Sequence, residues 1–326
     1  MLIIIAYHFY LHGGFSFPVS SITLNRLAYQ FFLTGGNLGN DIFVLISGYF
    51  LIKSQGIKFS RILNLWQKLC VYALIILCIF TFSGLESITK LGVIRVIMPV
   101  SHVNWWFAST YFVMYLIHPY LNMFLTRINQ DEYKNFLKTV FLYWCIIPMI
   151  TKSGFQGSRL IDFMCLYSLA GYIRIYKQDS EFGSRKYILY AFMFVAINFM
   201  SAVILDLLGF IYAYFAERST YLYDMMRPFT ILAAVCFLIG FKHLNISYNK
   251  LINILASATF GVYLIHDHAM VRRFLWQNLF HNASFQDSPY LIIYSLGVVL
   301  VVYISCTIVE LARSKIFKTI SGGRLS

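Results

Sequence analysis

Long apolar runs separated by short polar segments make up most of the chain. Residues 1–12, 38–52, 66–83, 105–125, 136–151, 160–176, 186–208, 227–241, 251–266 and 289–312 each hold few charged side chains. A helix needs about 20 largely apolar residues to cross hydrocarbon, and only helices and closed barrels satisfy their own backbone there. The runs are too continuous for the alternation of a barrel strand, so they predict about ten membrane-spanning helices. Several are short, which tilt, a break or a shifted boundary accommodates.

Composition agrees. Of 326 residues, 59% are hydrophobic and 12% charged, and the mean hydropathy is +0.69. A soluble domain carries about twice that share of charge. The expected fold class is all-α, a polytopic membrane helix bundle forming one domain over residues 1–326. Basic residues are retained on the cytoplasmic side, and ten spans put both ends on one side. With the amino end inside, the inner segments hold Lys53, Lys58, Arg61, Lys68, Arg127, Lys134, Lys138, Arg174, Lys177, Arg185, Lys186, Lys242, Lys250, Arg313, Lys315, Lys318 and Arg324, or 17 of the 26 basic residues. Both termini are therefore expected in the cytoplasm. The same bias explains the net charge of +13 without nucleic acid, and a basic inner rim attracts anionic lipid or a polyanionic cosubstrate. All six cysteines fall in apolar runs without Cys-x-x-Cys spacing and read as buried small hydrophobes. The Met1 segment has no basic n-region and no small-residue cleavage site, so a removed signal peptide is not expected.

Ionisable groups at membrane depth are costly and mark function more often than chance. His8 lies inside the first apolar run and Asp41 near the start of the second. If the first helix ends near Gly13 and the second begins near Gly36, each residue sits about 7 Å below the outer end. An antiparallel pair then brings them to one depth, where a carboxylate orients a neutral imidazole as a general base. The bland alternative is a His–Asp pair that only fixes packing.

Three stretches resemble the acyltransferase-3 family of integral membrane O-acyltransferases that decorate bacterial surface polysaccharides. Ile5-Ala6-Tyr7-His8-Phe9 is similar to the family's first-helix motif, which ends in its catalytic histidine. Asn40-Asp41-Ile42-Phe43-Val44-Leu45-Ile46-Ser47-Gly48-Tyr49 looks like its Asp-Phe-Phe-Val-Leu-Ser-Gly-Phe/Tyr segment, and Thr259-Phe260-Gly261-Val262-Tyr263-Leu264-Ile265-His266 resembles Ser-Tyr-Gly-Ile-Tyr-Leu-Leu-His. A weaker echo is Trp105-Trp106-Phe107 with the later Pro119. The resemblance implies a multi-pass protein of the bacterial plasma membrane that transfers an acyl group, commonly acetyl from acetyl-CoA, to a sugar hydroxyl of a surface or exported glycan. His8 is the implied base, with Asp41 beside it. Ser47, Tyr49, Trp106 and His266 are candidates to contact substrate or oxyanion. Arg61, Lys58 and Lys53 are candidates for the phosphates of the acyl-CoA, Arg61 foremost because its planar fork suits phosphate. Expected partners are the lipid bilayer, the glycan acceptor and other polysaccharide-assembly proteins. The family also implies a basic residue about eleven positions before the histidine, where only seven residues precede His8. Either the true start lies upstream, which also explains the short first run, or this chain dispenses with that group.

No Gly-rich phosphate loop, zinc-site spacing or Gly-x-Ser-x-Gly elbow is present, so no metal is predicted. His266-Asp267-His268 reads equally well as a solvated interfacial cluster. His118 before Pro119 reads as local satisfaction of a freed carbonyl, and Glu310 with Arg313 as an ion pair three residues apart. Asp162 and Asp206 either face the same cavity or pair with Arg159 and other groups. A second function class fits some of these residues: a transporter or flippase in which His8, Asp41, Asp162 and Asp206 relay protons.

Overall fold

The computed structural model describes residues 1–18, 22–54, 56–102, 104–152, 157–177 and 184–320; Arg324, counted above among the inner basic residues, lies outside them. The described residues are helical, without strands, and a helix occupies each of the ten predicted segments. In chain order these are α1 (Leu2–His12), α2 (Leu24–Leu33), α3 (Gly35–Leu51), α4 (Phe59–Phe82), α5 (Lys90–Ile97), α6 (Trp106–Leu125), α7 (Gln130–Phe141), a π-helical stretch Leu142–Ile146 leading into α8 (Ile147–Thr151), α9 (Arg159–Tyr176), α10 (Ser184–Gly209), α11 (Ala213–Ala216), α12 (Pro228–Lys242), α13 (Lys250–His266), α14 (Ala269–Arg273) with a second π-helical stretch Phe274–Leu279, and α15 (Leu291–Ile320). Side-chain caps start several of them: Thr23 accepts from Arg26 N, Asn249 from Ile252 N, and Asn129 forms a reciprocal capping box with Glu132.

By length and apolarity, four helices suffice to cross a bilayer alone: Phe59–Phe82, Arg185–Gly209, Ala213–Lys242 and Leu291–Phe317. A fifth span results if α13 and the segment Ala269–Leu279, bent by 76°, are taken together. The other predicted segments include helices such as α1, whose 11 residues reach about 16 Å, roughly half the hydrocarbon thickness. Large apolar side chains such as Phe82, Ile293 and Phe50 are exposed on the outer surface, as expected of a multi-pass membrane protein.

Helix α3 is central and packs on α1, α9 and α12. Its glycines allow this. A Cβ at Gly36 would meet the Tyr7 ring at 2.5 Å, and one at Gly48 would meet the Tyr167 backbone at 2.9 Å, so α1 and α9 approach as only small residues permit.

Polar groups inside the bundle are bonded across helices. Arg26 on α2 holds Asp206 on α10 through two bonds of 2.6 and 3.1 Å, and Gln30 adds a third at 2.7 Å. Glu310 on α15 is bonded by Lys68 and Tyr72 of α4 as well as by the expected Arg313. Pro119 lacks the N–H that would bond the Tyr115 carbonyl, and His118 Nδ1 takes that carbonyl at 2.5 Å. Removing one partner of a buried ion pair leaves a charge uncompensated, at about 3–5 kcal/mol. Arg26→Met should therefore lower the melting temperature in detergent markedly, and Arg26→Met with Asp206→Leu should restore much of it. Equal melting of the single variant and wild type would contradict this account.

Candidate active site

Helix α1 carries His8 and His12 one turn apart on one face. The glycines of α3 let this face approach closely, and the bend after α13 delivers the opposing residues. Trp105 secures the bend: its Nε1 donates to the Leu264 carbonyl at 3.0 Å, and its ring meets His268 edge-on.

His8 Nδ1 lies 2.9 Å from His266 Nε2, and His266 Nδ1 lies 2.6 Å from the Val262 carbonyl oxygen. Both rings are buried. A carbonyl only accepts, so His266 carries its proton on Nδ1 and offers Nε2 as an acceptor. His8 must then donate from Nδ1, which leaves its Nε2 with a free lone pair. That nitrogen lies 3.6 Å from Asp267 Oδ1; His12 Nε2 and Arg272 Nη1 lie 3.8 and 3.7 Å from the same oxygen.

His8 lines a cavity of about 390 Å³ whose wall also includes Tyr7 and His12 from α1, Asn37 and Asn40 from α3, Trp106, Arg159, Tyr263, Asp267 and Arg272. Arg159 stacks over Trp106 at 5.7 Å and pairs with Asp162 at 3.3 Å and Asp224 at 2.9 Å. It also lines a neighbouring cavity of about 360 Å³ with Trp144, Asp162, Asp224 and Arg227.

Three sequence candidates, His8, His266 and Trp106, thus meet at one cavity. The expected His8–Asp41 pair is not made. Asp41 is fully buried, and neither of its oxygens has a hydrogen-bond partner. On α3, Gly36 lies against Tyr7 and Gly39 against Ile4, so Asp41 falls beyond the level of His8, and a helix also turns about 100° per residue. Asn37 and Asn40 face the cavity, whereas Asp41 is not in its wall, and the acceptor for His8 comes from a helix 258 residues later. Ser47 and Tyr49 lie further along α3, about 10 and 13 Å from Asn40 by helical rise. The Tyr49 hydroxyl accepts from Arg174 at 2.7 Å, and Arg174 and Lys242 stack on its ring. Beyond it, Lys53 borders a cavity of about 760 Å³ that also includes Ser54, Pro119, Asn122, Thr126 and Tyr176. Lys58 and Arg61 are exposed at the start of α4.

Of the two readings of residues 266–268, the solvated cluster is excluded by burial: His266, Asp267 and His268 are 0%, 3% and 7% exposed. Asp162 pairs with Arg159 and Asp206 with Arg26, so no run of hydrogen bonds joins His8, Asp41, Asp162 and Asp206 among the described residues. His12, Asp267, Arg272, Asn37 and Asn40 were not anticipated as site residues. The four-residue spacing of His8 and His12 was the available signal for His12.

A family model described as an acyltransferase domain, that of acyltransferase-3, matches residues 1–310. The chain belongs to the acyltransferase-3 family. No curated protein and no solved structure matches it.

For this acyltransferase, the arrangement has direct chemical content. An unprotonated imidazole nitrogen is able to accept a proton from a hydroxyl, and His8 Nε2 lies 3.6 Å from Asp267 Oδ1, which would face the imidazolium so formed. His266 is placed to orient His8 through Nδ1. His266→Phe leaves the His8 N–H without an acceptor and should lower kcat about 10²-fold with little change in KM, while His266→Gln, whose carbonyl still accepts, should lose less. Wild-type kcat in His266→Phe would remove the relay from the mechanism.

Proposed function

We propose that the acyltransferase moves an acyl group, acetyl from acetyl-CoA, onto a sugar hydroxyl of a surface or exported glycan. The observation that carries this reading is the His266–His8 bond, which leaves His8 Nε2 free at the cavity wall. The hydroxyl oxygen attacks the thioester carbonyl carbon as its proton passes to Nε2. The oxyanion collapses, the carbon–sulfur bond breaks, and the departing thiolate takes the proton from Nε2, which restores the base. Arg272 at the cavity wall is available to the oxyanion. Trp106 offers a flat apolar face, and the amides of Asn37 and Asn40 offer donors and acceptors, a combination suited to a sugar ring.

In this proposal the donor's phosphates bind at the opposite end of α3, where Lys53 lines the larger cavity and Lys58 and Arg61 are exposed at the start of α4. From there the acyl-bearing arm reaches along the helix toward His8. Asp41, buried within α3 without a hydrogen-bond partner, has no part in the transfer step. This arrangement goes with ten spans, both termini in the cytoplasm and a bacterial plasma membrane as the location.

The test is His8→Ala in cells at equal protein expression, with the ester content of the surface polysaccharide measured. Loss of a general base should lower transfer by about 10²–10⁴-fold. In parallel, membranes supplied with isotope-labelled acetyl-CoA should place label in glycan. Unchanged ester content in His8→Ala, or solute uptake without labelled glycan, would overturn the proposal.

A further inference from the structure

Three ligand-type atoms converge on one point at the base of the cavity. One ligand atom from each of His8, His12 and Asp267 lies within 4.8 Å of the other two, and Asp267 Oδ1 is 3.6 Å from His8 Nε2 and 3.8 Å from His12 Nε2. These separations are too long for hydrogen bonds. Asp267 Oδ1 is nevertheless buried and accepts none. The spacing is that of atoms arranged around a common centre: ligands about 2.0–2.1 Å from a tetrahedral zinc lie about 3.4 Å from each other.

Local structure supports the same arrangement. Two histidines four residues apart on α1 present their Nε2 atoms to one side, and the bend after α13 brings the carboxylate across. A metal-bound imidazole characteristically donates its other N–H to a fixed acceptor. His8 does so through Nδ1 to His266, itself anchored on Val262. The ligands come from opposite ends of the chain, which is why no sequence spacing announces them.

We propose that His8, His12 and Asp267 form a binding site for a divalent transition metal such as zinc, with a fourth position open to the cavity. Arg272, whose Nη1 lies 3.7 Å from the same oxygen on a partly exposed side chain, is the cation the metal displaces. The metal takes the lone pair of His8 that the acyl-transfer step uses. Resting on the reading of His8 as the base, zinc is therefore an inhibitor of transfer.

The test uses the full chain purified in detergent and stripped with chelator. Zinc is titrated in competition with a chromophoric chelator, and cobalt(II) is titrated while its visible d–d bands are recorded. One equivalent per chain, cobalt bands of a four- or five-coordinate nitrogen–oxygen site, and affinity at least about ten-fold weaker in both His12→Gln and Asp267→Asn support the site. Circular dichroism and elution profiles matching wild type establish that each variant folds, and if only one folds, that one decides. Absence of stoichiometric binding, or affinity unchanged in a folded variant, overturns it. Acyl transfer measured on stripped and zinc-loaded protein separates the two claims: stoichiometric zinc binding by a protein that transfers no acyl group even when stripped keeps the site and removes the functional reading, whereas equal transfer by the stripped and the zinc-loaded protein overturns the inhibition.

Discussion

Hydrocarbon offers no water to a polar group, so each polar side chain within the bundle either finds a partner in the protein or raises the energy of the fold. Most find one on a distant helix. Arg26 and Gln30 close on Asp206, Asn198 donates to Thr230, and Asn122 donates to the Leu51 and Ser54 carbonyls at the end of α3. These bonds join segments that hydrophobic packing alone leaves free to slide, because lipid is as apolar as the helix surfaces it touches. The His8–His266 bond obeys the same rule and ties the first helix to the thirteenth. The site is thus part of the scaffold, with one nitrogen left over.

Two acidic side chains depart from the rule. Both oxygens of Asp41 and one of Asp267 are buried without a hydrogen-bond partner. Asp41 lies within α3, and Asp267 lies at the bend after α13 and lines the cavity. Departures from local satisfaction concentrate where a protein gives up stability for chemistry. The same bend that leaves Asp267 unsatisfied is built from an otherwise well-bonded corner, since Trp105 holds the Leu264 carbonyl just before it.

Much of the helical layout was legible in the sequence, because apolar runs broken by basic and glycine-rich segments leave little choice of position. Their boundaries hold to within a few residues for α3, α9 and α13. Span count was less legible, since α1 and α3 are apolar but short. For the site, the costly position of His8 and the motif ending in His266 marked two residues that meet at 2.9 Å. The partner of His8 was misplaced because burial cost reveals depth, whereas pairing depends on the angle about each helix axis and on which helices adjoin. A single sequence carries neither. For Asp267 the sequence leaves a solvated and a site position open, because its burial depends on the bend after α13, where Trp105 bonds the Leu264 carbonyl across 159 residues.

The relay ends on the main-chain oxygen of residue 262, not on a carboxylate. Substituting the side chain at that position leaves the oxygen in place, so the proton arrangement of the two histidines is insulated from changes there as long as the helix persists. A carbonyl also fixes the ring without bringing a formal charge into a medium that penalises one. Heritable variation at position 262 can therefore tune packing and nothing else, and the orientation of the base is inherited from the helical backbone itself.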